Sequence, residues 1–324
     1  MRNLDREAAI WELFTSPNFF ELAAEEFEEM MRWFRGQATS SQVTNFGRNN
    51  QIFDTFNRRG HNFRRGAELA RLGDYSLAWE TAECIPGDMR GMMDQPLHSW
   101  MTEAEYDEFN GDRIGRLTAY ASAIGCALNN ALWGAKSYDN PIPDWPESIN
   151  DDGGFPGDKI AQSYDADVRW YKGTLPWNLP DPLPEYTVDR TIGCNSGDEV
   201  PWTGVWYPKT GLEHHSLTFA IKGQRMQPAY RVVKTTEELR TETYMFPPPE
   251  TLAVPTIWYP LIPQPRENEA EKEVWAKAGQ PCPKAGVWQP TDPGAAQRVY
   301  SAGEPMASLG SAYGITVWRW VAER

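Results

Sequence analysis

One pattern, written twice, constrains this chain more than any other feature. Residues 197–208 read GDEVPWTGVWYP and residues 279–290 read GQPCPKAGVWQP, so both fit G-x-x-[V/C]-P-x-x-G-V-W-x-P without a gap. A second signature follows each copy, FAIKGQRM at 219–226 and VYSAGEPM at 299–306, and Gly223 to Met226 is spaced as Gly303 to Met306. Only the segment between the signatures changes length, by two residues, 209–218 against 291–298. Constant spacing with variation confined to a loop marks a duplicated structural unit. The shared positions are Gly197, Pro201, Gly204, Trp206, Gly223 and Met226 in the first copy. In the second they are Gly279, Pro283, Gly286, Trp288, Gly303 and Met306. Such residues build turns and cores. Each copy is expected to be a small antiparallel unit in which Pro-x-x-Gly turns, Val-Trp starts a strand, and a second strand leads into the Gly-x-x-Met turn. Trp206 and Trp288 are expected to anchor the two cores, with Gly204 and Gly286 allowing tight turns.

Upstream of the repeats the periodicity changes to that of helices. Phe20, Ala24, Phe27, Met31 and Phe34 recur near every 3.6 residues, with Glu25, Glu26, Glu28 and Glu29 between them, which predicts an amphipathic helix with an acidic outer face. Thr102-Glu-Ala-Glu105 is a capping box, and Ile114, Leu117, Ala121, Ile124, Leu128 and Leu132 continue a helical stripe beyond it. Gly111 is expected to break that segment in two. Shorter helices are expected over 38–58 and 63–84, punctuated by Gly60, Gly66, Pro86 and Gly87. From Asn140 to Pro184 the chain is rich in Pro and Trp and reads as a long ordered loop. Its Trp145, Phe155, Trp170, Tyr171 and Trp177 argue that it packs on something. Residues Glu267–Ala278, ENEAEKEVWAKA, read as a short helix between the copies. The predicted class is therefore α+β: a helical domain over 1–138, a surface-packed Pro/Trp-rich connector over 139–185, and tandem, mainly antiparallel β modules over 186–324. Repeat one is placed at about 191–233 and repeat two at about 273–320.

Charge narrows the partners. The formal net charge is −14, the wrong sign for a nucleic-acid binder or for an anionic membrane surface, and suited to a basic protein partner. Cys84, Cys126, Cys194 and Cys282 are scattered without a C-x-x-C pair, which fits a reducing compartment. The N-terminal MRNLDREAAIWELF does not read as a signal peptide, and no apolar run is long enough to span a bilayer, so the expected location is cytoplasmic.

Catalytic frames do not emerge. The histidines His61, His98, His214 and His215 lie in no H-E-x-x-H or similar frame, and the paired His214-His215 reads as a solvated loop in preference to a metal site. Cys194 and Cys282 sit at different offsets in the two copies, so they read as buried or loop thiols and not as equivalent zinc ligands. No nucleophile elbow, P-loop or dinucleotide fingerprint occurs. Asp151-Asp152-Gly153-Gly154 reads as a turn because it lacks the alternating ligands of a calcium loop. The basic run Arg58–Arg65 reads as an inter-helix turn whose arginines pair with neighbouring acidic faces. No metal, cofactor or catalytic residue is expected.

A helical half followed by C-P-x-x-G-x-W, a strand and G-x-x-M resembles immunity proteins of bacterial polymorphic-toxin and type VI secretion systems, the immunity protein 71 and 72 families above all. The match rests on Cys282-Pro283-Lys284-Ala285-Gly286-Val287-Trp288 with Gly303-Glu304-Pro305-Met306, and on the first copy from Val200 to Met226. That first copy departs from it in having Val200 for Cys and Gln227 before Pro228. The resemblance implies a non-enzymatic protein, monomeric or homodimeric, that binds and occludes a cognate toxin. Acidity suits a basic, nuclease-like toxin. Candidate contact residues are Glu25, Glu26, Glu28 and Glu29 on the helix, Asp151 and Asp152 in the Pro-rich segment, and Asp198 and Glu199 at the first repeat. Two other readings stand beside it: a carbohydrate-active hydrolase with a Trp-lined cleft, and a scaffold component of a secretion apparatus.

Overall fold

The computed structural model describes residues 3–37, 49–93, 101–129, 131–132, 159–172, 174–211, 216–234, 236–241, 250–264, 273–292, 294–310 and 315–323. The protein is α+β, with helices in the N-terminal part and antiparallel sheets in the C-terminal part. It forms two compact units. One comprises Met1–Ala67 with Tyr75–Gln264, the other Glu68–Asp74 with Pro265–Arg324.

The first unit begins with α1 (Leu4–Thr15), capped by Asn3, whose side chain accepts a hydrogen bond from the Arg6 amide at 3.1 Å. Ser16 closes α1 and opens α2 (Pro17–Gln37), since its Oγ accepts from the Phe19 amide at 3.1 Å and Pro17 occupies the first helical position. On α2 the predicted stripe Phe20, Ala24, Phe27, Met31 and Phe34 is buried throughout. Two further helices depart from expectation. Helix α3 (Asn49–Ala70) runs unbroken through Gly60 and Gly66, and α4 (Ser76–Met93) through Pro86 and Gly87. In α3 close packing outweighs helix propensity. A Cβ on Gly60 would lie 3.2 Å from Phe27 Cβ, and one on Gly66 3.0 Å from Ala78 Cβ, so each glycine marks a helix crossing and not a helix end.

The Thr102 capping box opens α5 (Glu103–Glu108) as expected, with Thr102 Oγ1 accepting from the Glu105 amide and Glu105 accepting from the Thr102 amide. Gly111 does not end this segment. It lies in a π-helical turn, Phe109–Arg113, that continues into α6 (Ile114–Asn129). The wider turn brings residues five apart to one face, so Phe109 and Ile114 are both buried. The described part of the Pro/Trp-rich segment also departs from a plain loop. It carries α7 (Lys159–Trp170), followed by Trp177, which is fully buried among Phe14, Phe19 and Tyr120 with ring centroids 5.2–5.3 Å away. The aromatic surface of a single tryptophan outweighs the local bias of the prolines around it. Trp170 is 74% exposed, and Trp145 and Phe155 lie outside the described residues.

The strands of the first unit are β1 (Tyr186–Val188), β2 (Cys194–Asn195), β3 (Gly204–Pro208), β4 (Thr218–Ala220), β5 (Ala229–Lys234), β6 (Glu250–Val254) and β7 (Ile257–Pro263), with a short α8 (Thr236–Leu239) after β5. The main sheet has the order β1-β7-β3-β4, with β2 also paired to β7, and β5 and β6 form a separate ribbon. Helix α1 packs on β1, β3 and β4. Its Asp5 accepts from the Tyr186 amide at 2.9 Å and its Glu12 from the Tyr186 hydroxyl at 2.7 Å. Tyr75 meets Phe219 of β4 edge to face at 5.2 Å.

The second unit has a four-stranded antiparallel sheet of β8 (Trp275–Lys277), β9 (Gly286–Pro290), β10 (Arg298–Tyr300) and β11 (Val317–Ala322), in the order β10-β9-β11-β8. Where described, the expected helix over Glu267–Ala278 is strand β8 instead. Its Ala276 pairs with Trp318 and enters the core, so sheet pairing overrides the helix-forming composition. The Arg71 guanidinium stacks 4.9 Å from the Trp275 ring.

Candidate partner-binding surface

The backbone turns of the two copies agree bond for bond. The Gly197 amide donates to Met226 O at 2.7 Å, and the Gly279 amide to Met306 O at 2.8 Å. The Val200 amide donates to Gln224 O and the Gly223 amide to Val200 O, as the Cys282 amide donates to Glu304 O and the Gly303 amide to Cys282 O. Glu199 bridges Arg225 as Pro281 bridges Pro305. Gly197, Gly223, Gly279 and Gly303 share φ values of 81–90°. Trp206 and Trp288 each sit at 0% exposure, inside clusters that contain Met226 and Met306 respectively.

The structure adds a third shared signature that sequence spacing conceals. Thr256-Ile-Trp258 and Thr316-Val-Trp318 occupy matching places. Trp258 Nε1 donates to Gln227 O and Trp318 Nε1 to Ala307 O, both at 2.9 Å and both onto the residue after the motif methionine. Pro208 faces Trp258 as Pro290 faces Trp318. The first module thus reaches to β7, past residue 233, with the β5–β6 ribbon and α8 inserted before its last strand. By the same register Cys194 matches Ala276, and Cys282 matches Val200. Both thiols are buried as expected. Burial, and then Asp198, push the Cys194 thiol up to about 11.

The acidic candidates are neutralised to very different degrees. Glu26 is bound by both Arg116 Nε and Nη2, at 2.8 and 2.9 Å, with Arg116 Nη1 donating to Thr174 Oγ1. Glu28 pairs with Arg64 at 2.6 Å, and Glu29 with Arg32 at 2.5 Å. Arg59 holds Asp88 at 2.7 Å. The basic run therefore pairs with acidic side chains as expected, but from within α3 and not from a turn. Glu25 is exposed. Asp198 and Glu199 flank the first module's opening turn, where Asp198 accepts from Asn195 Nδ2 at 2.7 Å. Asp151, Asp152, His214 and His215 lie outside the described residues. Among the described residues no group of three or more His, Cys, Asp or Glu is placed to hold a metal ion, and no helix is long and apolar enough to cross a membrane.

A different patch has the composition of a contact surface. Tyr207 and Tyr259 are direct cross-strand partners, on the sheet face opposite Trp206 and Trp258. Arg190 stacks 5.2 Å from the Tyr259 ring, and Ile192 is 42% exposed. Tyrosine and arginine are among the residue types that dominate binding energy at protein interfaces. The sequence signal for this patch is TIWYP at 256–260, which by itself reads only as a strand.

One carboxyl in the helical part is set apart by its surroundings. Burial pushes Asp167 of α7 up to about 6, and the neighbouring Tyr171 hydroxyl, tucked against Gly115, is pushed up to about 12 by burial and then by Asp167 and Asp112. A carboxyl raised in the folded state adds stability that is full below its ordinary value and is lost as pH rises through about 6. Asp167→Asn is expected to stabilise the protein at pH 7 by about 1–2 kcal/mol after allowance for partial exposure, and to flatten the pH dependence between about 4 and 6. Urea unfolding across that range checks both.

Comparison with known protein families, curated proteins and solved structures finds no match.

Proposed function

We propose that this protein is an immunity protein that binds a cognate secreted bacterial toxin in the cytoplasm and blocks it by occlusion. The observation that carries the reading is the division of roles within the duplicated module. Its shared Gly, Pro, Trp and Met positions serve turns and core, whereas Arg190 of the first copy is exposed beside Tyr207 and Tyr259, which are half-buried on the opposite sheet face. A scaffold with a variable outer surface suits recognition. The resemblance to immunity proteins supplies the class of partner, and the net charge of −14 favours a basic one. The toxin is the product of the adjacent gene, bound 1:1 or 2:2. Calorimetry with that product is expected to show tight binding that weakens as salt rises. Tyr259→Ala and Arg190→Ala are each expected to weaken it at least about tenfold. Absence of binding and of inhibition would remove the reading.

A further inference from the structure

The two modules expose different parts of one shared surface. In the first module Val205 and Phe219 are direct cross-strand partners on the face away from Trp206, and they are 1% and 3% exposed. What covers them is helical: α1 packs on β3 and β4, α6 packs on β4, and Tyr75, just ahead of α4, meets the Phe219 ring. In the second module the matching partners are Val287 and Val299. Val299 is 51% exposed, and Val321 on the adjoining strand, at the bulge opposite Val287, is 43% exposed. The same face also carries Lys277 and Arg319, which pair across the sheet with Val317 and Trp275, and Arg319 has Glu273 at 3.9 Å. The second copy therefore keeps an apolar strip where the first seats a helix, and flanks it with cations in an acidic chain.

We infer that the Val287–Val299–Val321 face of the second module is a docking site for an amphipathic helix of a partner protein, one with an apolar stripe and acidic flanks. The first module shows the occupant such a face takes. Helix α1 combines Ala8, Ala9, Ile10, Trp11 and Phe14 with Asp5, Glu7 and Glu12. Sheet faces bury helices by packing an apolar stripe across cross-strand pairs, and Lys277 and Arg319 favour carboxylates at its margin. The inference is independent of whether the partner is a toxin.

The test uses the full chain with labelled valine methyl groups and a blocked peptide of residues 3–16, NLDREAAIWELFTS, as the helix probe. Saturable shifts at Val287, Val299 and Val321 below about 1 mM peptide are expected. Val299→Asp should weaken them at least about tenfold, while a peptide of the same composition in scrambled order leaves the three valines unmoved. Val299→Thr, which keeps shape and fold, should weaken binding by a smaller factor. Three results overturn the inference: no saturation at these valines, shifts confined to the helical unit, or broadening of the same valines with protein concentration alone, which would assign the face to a second copy of the chain.

Discussion

Trp288→Ala is expected to destabilise the second unit by about 3–5 kcal/mol, enough to unfold it locally at room temperature. The side chain is fully buried at the centre of a small cluster made by Ala276, Cys282, Tyr300, Met306 and Trp318. Its Nε1 donates to Lys284 O at 3.0 Å. A unit this size has little other apolar surface to absorb the cavity. Hydrogen exchange reads the effect directly, because the Gly279 and Met306 amides, bonded to Met306 O and Gln280 O, should lose protection. Phenylalanine separates packing from hydrogen bonding. Trp206 Nε1 is buried with no hydrogen-bond partner among the described residues, so Trp206→Phe loses packing alone. Trp288→Phe also removes one of the two donors to the Lys284 carbonyl, leaving only the Cys282 thiol, and should cost about 1 kcal/mol more than its counterpart.

Gly286→Ala is expected to cost about 3–4 kcal/mol, far more than the same change at Gly303. Gly286 has φ of 145°, and a Cβ there would overlap the Ala322 carbonyl oxygen and lie 2.5 Å from Trp320 Nε1. Backbone on the neighbouring strand cannot yield without breaking the β9–β11 pairing. Gly303 has φ of 81°, and a Cβ there would meet nothing within 4 Å. Alanine at that position faces only the left-handed backbone penalty of about 1–2 kcal/mol. Gly204 falls between them. Its Cβ would meet the Trp202 ring, a partly buried side chain that can rotate away. Thermal unfolding of the three single variants should rank them Gly286, Gly204, Gly303 in decreasing effect.

These expectations rest on motif positions that are legible in the sequence. Trp206, Trp288, Met226 and Met306 belong in cores because large apolar residues at fixed spacing have nowhere else to go, and all four are buried. The α2 stripe and the Thr102 capping box are legible for the same reason: both are local, within a few helical turns. Other features are hidden by sequence distance. The Thr-[Ile/Val]-Trp signature follows Met226 by thirty residues but Met306 by ten, so no fixed spacing reveals it. The acidic ridge of α2 reads as a free surface, yet Glu26 and Glu28 meet arginines ninety and thirty-six residues away. The tyrosine–arginine patch joins Arg190, Tyr207 and Tyr259 from three separate segments.

By itself the sequence determined the class, the duplication and the residues that build each small core, because turn geometry and hydrophobic burial depend on residue type and short spacing. Only the tertiary structure decided which surfaces remain open. Gly60 and Gly66 became helix crossings, the ENEAEKEVWAKA segment supplied a strand, and one face of the repeated module was covered by α1 in the first copy and left exposed at Val299 in the second. Each outcome depends on what a distant part of the chain brings alongside, and that contact free energy exceeds the local preference it overrides.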